Sequence, residues 1–169
     1  MIIKVSDLEN IKSIQNRIHL IYGNNEGAKL DIINNFYLKT FEGEVLKYDE
    51  QEILNNKDEI LLSLLNNSLF EVKKLIIVSR CTDKIINFVK EVLEGKEIDT
   101  KILIKCSNLE KKSKLRNLFE KEKLLICTPV YEDDFRSMNF IINNFLNNHK
   151  FNLSQEIKNI LIERSKGDR

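Results

Sequence analysis

Two hydrophobic rhythms alternate along this chain. The first is a short, continuous apolar run: "IHLIY" (18–22), "EVLKY" (44–48), "KKLIIVSR" (73–80), "TKILIKC" (100–106) and "KLLICTP" (123–129). The second is the 3.6-residue period of an amphipathic helix. Leu30, Ile33, Phe36 and Tyr37 predict a helix over about 26–40, broken before Gly43. A long helical pattern runs from about Glu50 to Phe70. Ile85, Ile86, Val89 and Val92 mark a helix closed by Gly95, and "KSKLRNLFEK" another. Phe135, Met138, Ile142 and Phe145 share one face of a helix over 133–148, while Leu8, Ile11 and Ile14 predict a short opening helix.

Strands therefore alternate with helices five times. The later strands are apolar throughout, the mark of strands covered on both faces. This predicts an α/β fold, a three-layer parallel sheet of five strands over residues 1–148. "KFNLSQEIKNILIERSKGDR" then predicts a further helix with Ser154 as N-cap. An isolated helix cannot bury its own apolar face, so residues 149–169 are expected to begin a small, truncated helical lid domain.

Composition narrows the function classes. The 169 residues are 42% hydrophobic and 31% charged, with a formal net charge of +1. A near-neutral chain lacks the bulk charge of a polyanion binder. Asp7 and Glu9 interrupt any signal-peptide core, and no run approaches the length of a membrane span, which predicts a soluble, cytoplasmic protein. Cys81, Cys106 and Cys127 are odd in number and widely spaced, without a CxxC pair, and so read as buried small hydrophobes near strand ends. His19 and His149 have no nucleophile or acid at a suggestive spacing. No catalytic residue, metal or cofactor is expected.

The strand–turn–helix at "YGNNEGAKLD" (22–31) invites comparison with a phosphate-binding loop, which needs Gly, four residues, then Gly-Lys-Ser/Thr. Counting from Gly23, the pattern meets Ala28, Lys29 and Leu30, with Gly27 one place early. Ala28 puts a Cβ where backbone must approach phosphate, and Leu30 lacks the hydroxyl that holds Mg2+. The acidic residue expected at the end of a core strand is also missing, because "LIIVSR" ends in Ser79 and Arg80. The loop reads as degenerate, with Lys29 partly exposed and its space filled by the loop's own side chains. The rival reading is a divergent P-loop NTPase or nucleotide kinase; a nucleic-acid-binding domain is a third, disfavoured by the net charge.

In the pattern from Glu50 to Phe70, Ile53, Leu54, Ile60, Leu61, Leu64 and Leu65 share one face at 100° per residue. Leu62, Leu69 and Phe70 fall outside it. Some large apolar side chains there are expected to be exposed, which points to a partner. "EKKSKLRNLFEKEK" (110–123) carries five lysines and one arginine but interleaves glutamates, and reads as a solvated face over a side buried through Leu115, Leu118 and Phe119.

Five segments, in this order and spacing, resemble the delta subunit of bacterial DNA polymerase III, the clamp-opening subunit of the replicative clamp loader. They are "HLIYGNNEGAKLDIINNF", "SLFEVKKLIIV", "ILIKCSNLEKKSKLRNLFEK", "CTPVYEDD" and "NLSQEIKNILIERSKGDR". The resemblance implies an AAA+-like domain without ATP binding, then a lid and a collar domain; against that pattern the lid is expected to be cut short and the collar absent from this sequence. It implies a role without catalysis, as an accessory subunit of the polymerase holoenzyme. It implies as partners the sliding clamp (beta subunit), the gamma/tau and delta-prime loader subunits and, within the assembled loader only, primed DNA. The family's clamp-binding wedge falls on Leu69 and Phe70, preceded by Ser68. The glutamine that often opens clamp-binding motifs is absent, since Leu65 and Asn66 stand in that region. "SRC" (79–81) spells the arginine-finger signature of other loader subunits, but one strand too early, so Arg80 reads as an ordinary strand-end arginine.

Overall fold

A computed structural model describes residues 1–10, 18–65, 73–95 and 100–167. Five strands, β1 (Ile18–Tyr22), β2 (Glu44–Asp49), β3 (Lys74–Cys81), β4 (Thr100–Cys106) and β5 (Leu125–Pro129), form one sheet in the order β2-β3-β4-β1-β5. Every pairing is parallel. Strands β1, β3 and β4 occupy the middle of the sheet, and both of its faces are covered. All five residues of β1 are buried, whereas β2, on an edge, is half exposed.

The helices are α1 (Glu26–Ile32), α2 (Glu50–Asn55), α3 (Lys57–Leu65), α4 (Ile86–Glu94), α5 (Lys114–Lys121), α6 (Phe135–His149) and α7 (Gln155–Ser165). On one face of the sheet Ile53, Ile60, Phe88, Val89, Leu115 and Phe119, from α2 to α5, pack against Leu20, Ile76 and Ile104. On the other, Ala28 and Ile32 of α1 join Ile3 and Leu8 against Ile21, Ile77, Leu103 and Ile126. Three layers follow directly from which side of each strand is apolar.

Several elements depart from the sequence pattern. The expected helix over 50–70 divides at Asn56, whose φ of −117° and ψ of 28° are not helical. Asp49 and Glu52 form a reciprocal capping box that starts α2, and the acidic pair Asp58 and Glu59 opens α3 after the break. The division changes the helical phase. Ile53, Ile60 and Leu64 are buried as expected, but Leu54, placed on the same face by an unbroken period, is 37% exposed. Ser68, Leu69 and Phe70 lie outside the described residues.

The helix from Glu26 does not keep α geometry to Thr40. It widens into π-turns over Ile33–Leu38, where the Lys39 amide donates to the carbonyl of Asn34, five residues back. The opening segment is a 3-10 helix over Val5–Asn10, with Ile11 and Ile14 outside the described residues. In α6 Met138 is buried, but Phe135 and Phe145, predicted on the same face, are exposed. Ser154 caps α7 by accepting from the Ile157 amide, as its sequence position predicts. Helix α7 packs on α6; Ile162 is buried, and Lys158 Nζ donates to Asn143 Oδ1 at 2.7 Å.

Candidate functional site

The turn after β1 sits at the carboxyl end of the sheet between β4 and β5, the place where open α/β sheets bind ligands. Its geometry shows why it is closed. Asn25 is already the N-cap of α1, its side chain accepting from the Ala28 amide at 2.9 Å. Only Gly23 and Asn24 separate β1 from that cap. A phosphate cradle needs a run of unpaired backbone N–H groups ahead of the helix. Here Gly27, Ala28, Lys29 and Leu30 all lie inside α1, and the Lys29 amide is taken by the Asn25 carbonyl at 3.1 Å.

Lys29 is not partly exposed, as the sequence suggested; its side chain is fully buried. The early helix start turns it inward, beneath the turn. Its ammonium donates to the carbonyls of Gly23 at 2.7 Å and Cys106 at 2.8 Å, and to Glu26 Oε1 at 2.6 Å. It thus ties the ends of β1 and β4 together, with all three protons used. Burial works to raise the Glu26 carboxyl pKa, but the hydrogen bond and charge of Lys29, with Lys105 at 3.4 Å behind, outweigh it and hold the group below its ordinary range. Ala28 is buried against the core, and Leu30 lies half exposed on the outer face of α1.

Gly23 is required for a different reason from a phosphate approach. Its φ is +141°, and a Cβ there would stand 1.8 Å from the Val130 carbonyl oxygen. The Val130 amide donates to the Tyr22 carbonyl at 2.8 Å, so the segment after β5 crosses directly over this turn.

At the end of β3 the sequence offers no acid, and the nearby acids Asp49, Glu50 and Asp83 are all occupied. Glu50, buried at the start of α2, accepts from the Thr82 amide at 2.7 Å and from the Thr82 hydroxyl. Asp83 accepts from Ser113 Oγ at 2.6 Å and from the Lys114 and Leu115 amides, capping α5. Burial opposes ionisation of Asp83, but these donors outweigh it and hold its pKa low. Arg80, at a φ of 56°, pairs with Asp49 at the strand end. Its charge is answered within the chain by that carboxylate.

His19 lies buried between the Tyr37 hydroxyl and Thr128 Oγ1, the latter at 2.8 Å. Burial pushes its pKa down to about 3, so the ring is neutral at neutral pH. Sequence distance hid this network, since Thr128 is 109 residues away. Cys81 and Cys106 are register partners at the ends of β3 and β4, and Cys127 lies mid-strand in β5; all three are buried and free. Contact with Cys106, then burial, drives the Cys81 thiol pKa far up, the opposite of an activated nucleophile. Among the described residues no three His, Cys, Asp or Glu side chains converge on a metal position.

The arm formed by α2 and α3 presents Leu54 and Leu62 to solvent, Leu62 at 58% exposure. It leads into the segment holding Ser68, Leu69 and Phe70, which lies outside the described residues. In the lysine-rich segment Leu115 and Phe119 are buried, and Arg116 turns back to Glu120 at 2.7 Å and over the Tyr22 ring at 5.3 Å.

No helix among the described residues is long and apolar enough to cross a membrane. No family model matches the chain, and no curated protein does. Solved structures do match. One is domain III of the replication initiation protein DnaA from Thermotoga maritima, at 15% identity and a TM-score of 0.54, over 96% of this chain and 75% of that one. Another is the replication initiator DnaA bound to AMPPCP and single-stranded DNA, at 18% identity and a TM-score of 0.55, over 96% of this chain and 54% of that one. The chain thus spans about three quarters of the first and about half of the second. At these identities the likeness is one of architecture: the chain shares with these structures a parallel α/β fold, with a helical segment after the sheet.

Proposed function

We propose that this chain works in bacterial DNA replication as the clamp-binding, clamp-opening delta-type subunit of a polymerase III clamp loader, by mechanical rather than covalent action. The observation that carries the reading is the pairing of a closed nucleotide turn with an exposed apolar arm. Lys29 is spent on the chain's own carbonyls, while α3 holds Leu62 in solvent just ahead of Ser68-Leu69-Phe70. A subunit of this kind needs a surface for the ring and no phosphate cradle of its own. The shared fold with two replication initiators fits a place in replication, and the order of the five segments quoted above favours the loader subunit.

The clamp is opened through differential affinity: a wedge shifts a ring towards its open form only by binding that form more tightly. ATP acts through neighbouring motor subunits, and primed DNA enters within the assembled loader. The test is co-migration of the purified chain with its cognate sliding clamp on gel filtration. A complex supports the reading; separate elution at concentrations well above micromolar contradicts it.

A further inference from the structure

The segment joining β5 to α6 is gripped from two sides. On one side is the turn after β1. The Asn25 side-chain amide donates to Asp133 Oδ2 at 2.8 Å and to the Tyr131 carbonyl at 3.3 Å, and the Tyr22 carbonyl takes the Val130 amide. On the other side is the end of α7, where Gly167, at a φ of +80°, lies so close that a Cβ would stand 2.9 Å from the Asp133 carbonyl oxygen. The chain that leads from the sheet to the α6–α7 pair is thereby held between the degenerate loop and the end of the second helix of that pair.

A ligand bound beyond the carboxyl end of β1 would lie between this loop and this linker. In its place stands Asn25, 3% exposed, with both ends of its amide used: the oxygen caps α1 and the nitrogen holds the linker. We propose that Asn25 and Asp133 form a latch that fixes the α6–α7 pair on the sheet without any nucleotide, so that the degenerate loop is a permanent joint and its geometry does not respond to ATP. A buried, doubly used amide facing a carboxylate is a specific polar contact whose loss leaves the Asn25 amide nitrogen short of its acceptor. The latch is built from contacts inside the chain and stands whether or not the clamp is the partner.

The test is hydrogen–deuterium exchange on the isolated chain, read in the peptide containing Val130 to Asp134. Asn25→Asp keeps an N-cap acceptor for α1 but removes the donor and sets two carboxylates face to face. It should speed exchange in this peptide by about tenfold or more, the response of a local opening made easier, while peptides of α4 and β3 stay protected. Adding Asp133→Asn restores a donor with the roles reversed and should slow exchange again. Asp133→Ala, which leaves the cap untouched, should loosen the same peptide. Saturating ATP and Mg2+ should change none of these rates in the wild type. Unchanged exchange in Asn25→Asp, a failure of the reversed pair to restore protection, or protection of the linker by ATP would each overturn the proposal.

Discussion

The ammonium of Lys29 stands 2.7 Å from the carbonyl oxygen of Gly23, the residue that opens the turn in which a phosphate would have to sit. At the position where a phosphate loop would carry its lysine, Lys29 is an internal strut. It joins strand ends whose order in the sequence is 23 and 106, and it does so with no exposed side-chain surface.

Replacing the strut isolates its contribution. Lys29→Met keeps the aliphatic stem and removes the charge, leaving two carbonyls without their donor. Hydrogen bonds from a charged donor contribute about 1.5–3 kcal/mol each, and an orphaned buried acceptor costs about 1–3 kcal/mol. Urea denaturation should show a loss of about 3 kcal/mol or more, well above the value for Lys105→Met. A Lys29→Met chain as stable as wild type would mean that the ammonium does not hold the strand ends.

Gly23 tests the crossing of the linker over the turn. Gly23→Ala meets the Val130 carbonyl at 1.8 Å with a φ that L residues avoid. The fold must shift, at a cost of about 3 kcal/mol or more. The expected outcome is a sharply lower melting temperature. Gly27→Ala, inside α1, should be neutral or mildly stabilising by comparison. Equal effects at the two glycines would contradict the assigned geometry.

The sheet, its five strands and the failure of the phosphate motif are all legible in the sequence. Runs such as "KKLIIVSR" announce buried parallel strands without any long-range knowledge. The helix start at Glu26 is legible too, from Asn25 and the glycine turn ahead of it. The burial of Lys29 is not. A lysine on a helix is read as solvent-facing, and its burial depends on carbonyls at positions 23 and 106 meeting only in the fold. Asp83 capping α5 and His19 against Thr128 are hidden for the same reason, their partners being 30 and 109 residues away. The break at Asn56 had a signal, since Asn55-Asn56 precedes a fresh acidic helix start at Asp58 and Glu59, but the apolar period alone runs straight through it.

Buried His19 sets a pH response. Its folded pKa is depressed to about 3 against an ordinary value of 6.5. Between these values the unfolded chain binds a proton that the folded chain refuses, so stability rises with pH and falls as pH drops below 6.5. The slope from this group is about 1.4 kcal/mol per pH unit, or about 2 kcal/mol lost by pH 5. Urea unfolding at pH 7.5 and pH 5 should show this loss, and His19→Gln should flatten it even if the variant is less stable throughout. An unchanged slope in His19→Gln would mean that the acid sensitivity has another source.

The closed turn predicts indifference to nucleotide. A ligand that binds only the folded state raises the melting point by mass action. ATP with Mg2+ at millimolar concentration should therefore leave the melting temperature unchanged. A rise consistent with a micromolar dissociation constant, about −8 kcal/mol, would favour a divergent NTPase or kinase instead.

The central claim is that Ser68-Leu69-Phe70, which follow α3 in the sequence, bind a sliding clamp. The most direct measurement is the affinity of the chain for its cognate clamp, by surface plasmon resonance, for wild type and for Leu69→Ala/Phe70→Ala. Desolvating an apolar anchor contributes about 1.5–3 kcal/mol, and each 1.4 kcal/mol is about a tenfold change. The double variant should bind roughly two to four orders of magnitude more weakly with little change in melting temperature. Leu64→Ala, which removes a buried residue, should instead destabilise by about 2–5 kcal/mol while its folded fraction still binds. A double variant that binds the clamp as tightly as wild type, or that unfolds, would contradict the account.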